Sequence, residues 1–222
     1  MPSSEAILNM AFALANEWRW VAIVWHVAFV TAAIMALGGA RVSQRTAALF
    51  LTLPIISVSL LAWSAGNPFN GLVFMVLVQL MAGLATTLGP RPIAVDSAFR
   101  NRAVGGALVI FGLSYPHFLI ADSWLVYLYA APFGLIPCPT IAVVSGVSLI
   151  LGSFGSRAWA IVVSVVALAY GIIGVVALHV WIDTFLIAGG LLLLETCFPM
   201  KARRLVATKA LFLKQLVLRH SL

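Results

Sequence analysis

The chain has 222 residues, 63% of them hydrophobic and only 9% charged, with a mean hydropathy of +1.11. A soluble domain is about 45–50% apolar and about 25% charged, so this composition excludes an ordinary soluble domain and leaves little length for a second one. The net charge of +7 and the pI of about 10.1 would suggest nucleic acid for a soluble protein, but in a chain this apolar positive residues flank membrane spans, and no nucleic-acid partner is expected.

In chain order, residues 4–18 come first. They set Ile7, Leu8, Ala11, Phe12 and Leu14 at helical spacing and read as an interfacial helix. They lack the basic segment and small-residue cleavage site of a signal peptide, so the N-terminus is expected to be retained. A helix needs roughly 20 mostly apolar residues to cross a bilayer. Runs of that kind cover residues 20–37, 47–63, 70–88 and 104–120. The next stretch, 123–154, is interrupted by Pro132, Pro137 and Pro139, which disfavours one straight helix. It divides into an interfacial or re-entrant piece at 124–135 and a fifth span at 139–154. Residues 158–198 are 41 in number, twice the length of one span. A turn near Trp181 splits them, with Asp183 placed to cap the seventh span.

The charges support this count. Arg41 and Arg45 stand between spans one and two, Arg91, Arg100 and Arg102 between three and four, and Arg157 between five and six. Lys201, Arg203, Arg204, Lys209, Lys214 and Arg219 follow span seven. Only Arg19 falls on the other side, with Glu5, Glu17, Asp122 and Asp183. The positive side is the cytoplasmic one. The expectation is an all-α polytopic bundle of seven transmembrane helices, N-terminus outside and C-terminus inside. It has an interfacial helix at each end. Residues 1–200 form one transmembrane domain and 201–222 a basic amphipathic cytoplasmic tail, suited to anionic lipid.

That topology sorts the polar residues. His26 lies about 9 Å into span one, at 1.5 Å per residue. His117 and His179 lie near the outer ends of spans four and six, and Asp183 and Cys138 lie at the same level. An ionisable residue inside a membrane is a functional-site hypothesis by default. His26, His117, His179 and Asp183 are therefore expected to line an outward-facing pocket for a metal or small polar solute, with Pro137-Cys138-Pro139 in its wall. Imidazole with carboxylate or thiolate suits zinc or copper, although no HxxxH or HxH spacing supports ligation. The alternative is three separate interfacial histidines. The sequence requires no cofactor. A haem would need facing axial ligands, and these three histidines share one level. A retinal protein needs a lysine within a span, and every Lys here follows residue 200.

Glu195 is the one acidic residue on the inner side of a span, expected to pair with Lys201 or Arg204, a proton-linked carboxylate being the alternative. Gly38-Gly39, Gly105-Gly106, Gly171, Gly174 and Gly189-Gly190 permit close helix approach. Trp18, Trp20, Trp63, Trp124, Tyr127, Tyr129 and Trp181 form an aromatic belt. Cys138 and Cys197 are expected near opposite faces, too far apart for a disulfide. No GxSxG, P-loop, HExxH or GxGxxG sequence is present.

The run Phe133-Gly134-Leu135-Ile136-Pro137-Cys138-Pro139-Thr140 resembles a Phe-Gly-x-x-Pro-Cys-Pro-Thr run that opens a late helix in a bacterial family of multi-pass membrane proteins, known only as a domain of unknown function. Asn67-Pro68-Phe69-Asn70 and the glycine-containing hairpin at 171–190 are similar to features of the same family. Asn16 and Trp18 match loosely, without the Pro that follows the Trp there. The resemblance implies a six- or seven-span protein of the bacterial inner membrane and no particular activity. The function expected first is a small-solute or ion permease or binding protein, homo-oligomeric assembly being open. A non-transporting scaffold or partner subunit comes second, and a membrane enzyme third. Reporter fusions after Arg45, Arg102 and Arg157 should read cytoplasmic, and one at Asn67 should read the opposite side. A cytoplasmic reading at Asn67 would break the span count.

Overall fold

The computed structural model describes residues 3–198. The expected basic tail at 201–222 lies outside them. The described residues are helical apart from turns and one isolated bridge between Ser43 and Pro92.

Helix α1 (Ser4–Glu17) is capped by Ser3, whose Oγ accepts from the Ala6 amide at 3.2 Å. After a break at Trp18 comes α2 (Arg19–Leu37), which buries only Ala22 and His26. Helix α3 (Gln44–Ser64) starts at a Ser43 cap, and α4 (Pro68–Thr87) at an Asn67 cap with Pro68 in its first turn. Both are standard helix starts: a short polar side chain takes an orphan N–H, and proline sits where its missing N–H is no loss. Helix α5 (Phe99–Leu113) follows, then α6 (Tyr127–Ala130) and α7 (Pro137–Ile150). Helix α8 (Arg157–Ile172) runs on through a π-turn at Ile173–Ala177, and α9 (Thr184–Thr196) completes the described chain.

Among the described residues, four helical segments are long and apolar enough to cross a membrane: α2, α3, α4 and Arg157–Ala177. Helices α5, α7 and α9 have 15, 14 and 13 residues, below the roughly 20 of a full span. The apolar run at 104–120 does not stay helical to its end. Helix α5 stops at Leu113, because Pro116 disfavours helical geometry at Tyr115. The 123–154 run does break at its prolines, but α7 begins at Pro137 rather than Pro139. Between α6 and α7, residues 131–136 form no regular helix yet are all buried. Thr140 Oγ1 accepts from the Gly134 amide at 2.9 Å and donates to the Ile136 carbonyl at 2.8 Å.

Helix α7 is the axis of the bundle, with ten of its 14 residues buried. It meets α5 backbone to backbone. A Cβ on Gly105 would stand 2.6 Å from the Gly146 carbonyl oxygen, and one on Gly146 would stand 2.5 Å from that of Gly105. One on Gly112 would stand 2.5 Å from the Pro139 carbonyl oxygen. Around this seam Ile55, Phe74, Leu108, Ile141, Trp159 and Leu193 close a single core, each at most 1% exposed.

Polar contacts gather the helix ends into two groups. At one end the Gln44 amide donates to the Arg91 carbonyl, the Asp96 amide to the Ile150 carbonyl, and Arg100 pairs with Glu195 at 3.1 Å. The partners expected for Glu195, Lys201 and Arg204, lie outside the described residues. At the other end Asn16 and Arg19 bond to the segment after α5. Replacing Gly105 or Gly146 with Ala should cost about 1–3 kcal/mol, the usual penalty for overpacking. Gly106→Ala should be harmless, since nothing lies within 4 Å of that position. Thermal unfolding in detergent would show the contrast.

Candidate functional site

The break between α8 and α9 builds the most polar point of the interior. The π-turn shifts the helix out of register, and His179 adopts φ +56°. The Val180 amide then returns to the Gly174 carbonyl at 2.8 Å, and a short turn, Trp181–Asp183, leads into α9. Asp183 does stand at the start of α9, but its side chain makes no capping bond. This corrects the expected cap: the carboxylate is buried and turns to the Tyr115 hydroxyl instead.

Three elements meet that carboxylate. The Tyr115 hydroxyl, just past α5, donates to Oδ1 at 2.9 Å. The Cys138 thiol, in the first turn of α7, lies close to the same group. Oδ2 lies against Gly174, where any Cβ would overlap it, so only glycine fits there. Asp183 is 1% exposed and Tyr115 is fully buried. Among the described residues no Lys, Arg or His pairs with Asp183, and its partners are a phenol and a thiol. An ionised carboxylate buried among neutral groups is costly. Chemically, such a carboxylate is one that a proton or a small cation could neutralise. A second polar pair lies near: Tyr170 of α8 donates to Asn70 Oδ1 of α4 at 2.9 Å.

Of the residues expected to share a pocket, the structure brings Asp183 and Cys138 together and holds the histidines apart from them. His26 is buried, with Nδ1 2.8 Å from the Ala22 carbonyl oxygen and Nε2 2.7 Å from that of Leu113. Both partners only accept, so a neutral ring donates to one of them at a time. The ring also meets Phe133 edge-on. His26 thus pins α2 to the end of α5. His117 is exposed, its ring edge-on to Phe118 at 4.3 Å. His179 is exposed in the turn after α8. Among the described residues no three His, Cys, Asp or Glu side chains stand close enough to hold a metal ion.

Cys197 lies at the far end of α9, its sulfur 3.9 Å from the Arg157 carbonyl oxygen, while Cys138 lies at the Asp183 end. A groove of about 530 Å³ between α2 and α3, lined by Trp18, Trp25, Leu53, Ile56 and Leu60, is almost wholly apolar and is not part of the polar cluster. Sequence reasoning passed over Tyr115 and read Gly174 as a packing residue. The signal that could have joined them is a buried acid facing an aromatic hydroxyl, and it becomes visible only once the chain folds back at the π-turn.

Comparison of the chain with protein-family models, with curated proteins and with solved structures gives no match.

His26→Ala should cost about 1–3 kcal/mol by leaving the partly buried Leu113 carbonyl without its partner. His117→Ala and His179→Ala should stay within about 0.5 kcal/mol, as exposed substitutions do. Equal effects of all three on unfolding would contradict these placements.

Proposed function

We propose that the chain is a seven-span protein of the bacterial cytoplasmic membrane, N-terminus outside, and that Asp183 is the group at which it binds a proton or a small cationic solute. It is then a permease or binding protein in a closed form. One observation carries this reading: a carboxylate 1% exposed, met among the described residues only by neutral donors, at the point where a helix breaks. Sites for solutes and coupling ions in transporters lie where helices are discontinuous, and π-turns inside helices are frequent at functional sites.

The seven-span count rests on the charge alternation and on the grouping of helix ends. Helices α5, α7 and α9 are short for a span, but the segments that continue them contribute buried length: Tyr115 after α5, residues 131–136 before α7, and Asp183 before α9. Irregular backbone is tolerated at membrane depth where protein covers it. Membership of the family that the Phe133–Thr140 run resembles, and anionic lipid at the basic tail, belong to the same proposal.

A second reading, a scaffold or partner subunit, has its own support in α2. Val24, Val27, Val30, Ile34, Met35 and Leu37 of that helix are all exposed, a face that lipid, a partner helix or a second copy would cover.

Two measurements on the full chain in liposomes test the first reading. Infrared spectra should show a protonated-carboxyl band that responds to pH or to sodium and vanishes in Asp183→Asn. A pH gradient or a sodium gradient should dissipate faster than in protein-free liposomes, and Asp183→Asn should abolish the excess. A gradient that decays no faster with protein than without it would remove the permease reading and leave the scaffold.

A further inference from the structure

The Asp183 carboxylate is covered by layers that end in α1. The ring of Tyr115, whose hydroxyl holds Asp183, is stacked on Phe118, with centroids 6.2 Å apart and planes 8° from parallel. Leu8 of α1, Phe118 and Tyr127 pack on the small cluster of Tyr115, Ala131 and Val180, and Cys138 joins the same cluster from α7. One side chain holds this cover down. Asn16 Nδ2 donates to the Phe118 carbonyl at 2.8 Å, and the Ile120 amide donates to Asn16 Oδ1 at 2.9 Å. A single amide thus pairs with the backbone as a neighbouring strand would. Arg19 adds one bond to the Ile120 carbonyl at 2.6 Å, while its Nε is buried without a partner among the described residues.

The rest of the attachment is slight. Helix α1 buries only Leu14 and Ala15, and it joins α2 through the break at Trp18. Phe118 holds φ +73°, a conformation disfavoured for any residue with a Cβ. The segment is therefore strained where Asn16 grips it. Elements with few buried contacts and one polar tie open before the core does.

We infer that α1 is a lid over the Asp183 site, latched by Asn16 and seated on Phe118. The inference rests on the reading of Asp183 as the binding group and adds how that group is reached: α1 swings about Trp18, Phe118 leaves Tyr115, and the carboxylate opens to the side on which α1 lies.

Cys138 reports the opening, since it packs, partly buried, on the same cluster that Leu8 and Phe118 cover. The full chain carrying Cys197→Ser, reconstituted in phospholipid nanodiscs, is labelled at Cys138 with a small maleimide. Labelling should be slow in that background. Adding Asn16→Ala should speed it about tenfold, the change that loss of an ordinary hydrogen-bonded latch gives. Leu8→Ala, which loosens the same lid without touching the amide, should also speed it and serves where Asn16→Ala does not fold. Acceleration in either folded variant supports the lid. An unchanged rate in the folded variants would overturn it, as would labelling in the background as fast as in denatured protein. Failure of the Asp183 reading is distinguishable: the carboxyl band and the ion flux would be missing while the labelling contrast remained.

Discussion

The structure turns on the cost of burying the Asp183 carboxylate. The chain spends a helix break on placing it. Helix α8 slips into a π-turn, Gly174 gives up its side chain to make room, and the chain reverses before α9 starts. Tyr115, just past α5, and Cys138 of α7 come to meet it. Such an arrangement contributes little to stability compared with an apolar replacement. Its retention in the interior of a small bundle is the reason to read it as functional.

The second constraint is room. Short helices can form a tight interior only if they approach closely, and Gly105, Gly112 and Gly146 let α5 and α7 touch backbone to backbone. That contact fixes how α5 and α7 lie side by side, and so where Tyr115 and Cys138 stand relative to each other. It also leaves α2 outside the tight group, held mainly at Ala22 and His26. The molecule therefore has a dense centre, a loosely joined apolar helix, and a latched α1 over its polar end.

Much of the helical layout was legible in the sequence because hydropathy reports it directly. The runs at 20–37, 47–63 and 70–88 correspond to α2, α3 and α4, and the turn near Trp181 falls where expected. The limits of α5 and α7 were less legible. Apolar composition continues past Leu113 although the helix does not, since Pro116 acts on backbone geometry and not on hydropathy. The candidate site was read by depth alone. Depth put Asp183 and Cys138 at one level, and the structure places them in one cluster. Depth could not tell that His26 faces the Leu113 carbonyl, or that His117 and His179 lie exposed. Which way a side chain at a given level points depends on packing around the bundle, and no single sequence carries that. Asp183 itself reads as an ordinary helix cap until the partners across the bundle are known.

The most direct measurement is a double-mutant cycle on unfolding, combining Tyr115→Phe with Asp183→Ala. If the hydroxyl and the carboxylate are bonded in the buried cluster, the two substitutions are coupled, and the interaction energy should be about 0.5–3 kcal/mol. Additive effects, with a coupling near zero, would mean that Tyr115 does not hold Asp183 and that the enclosed site does not exist as described.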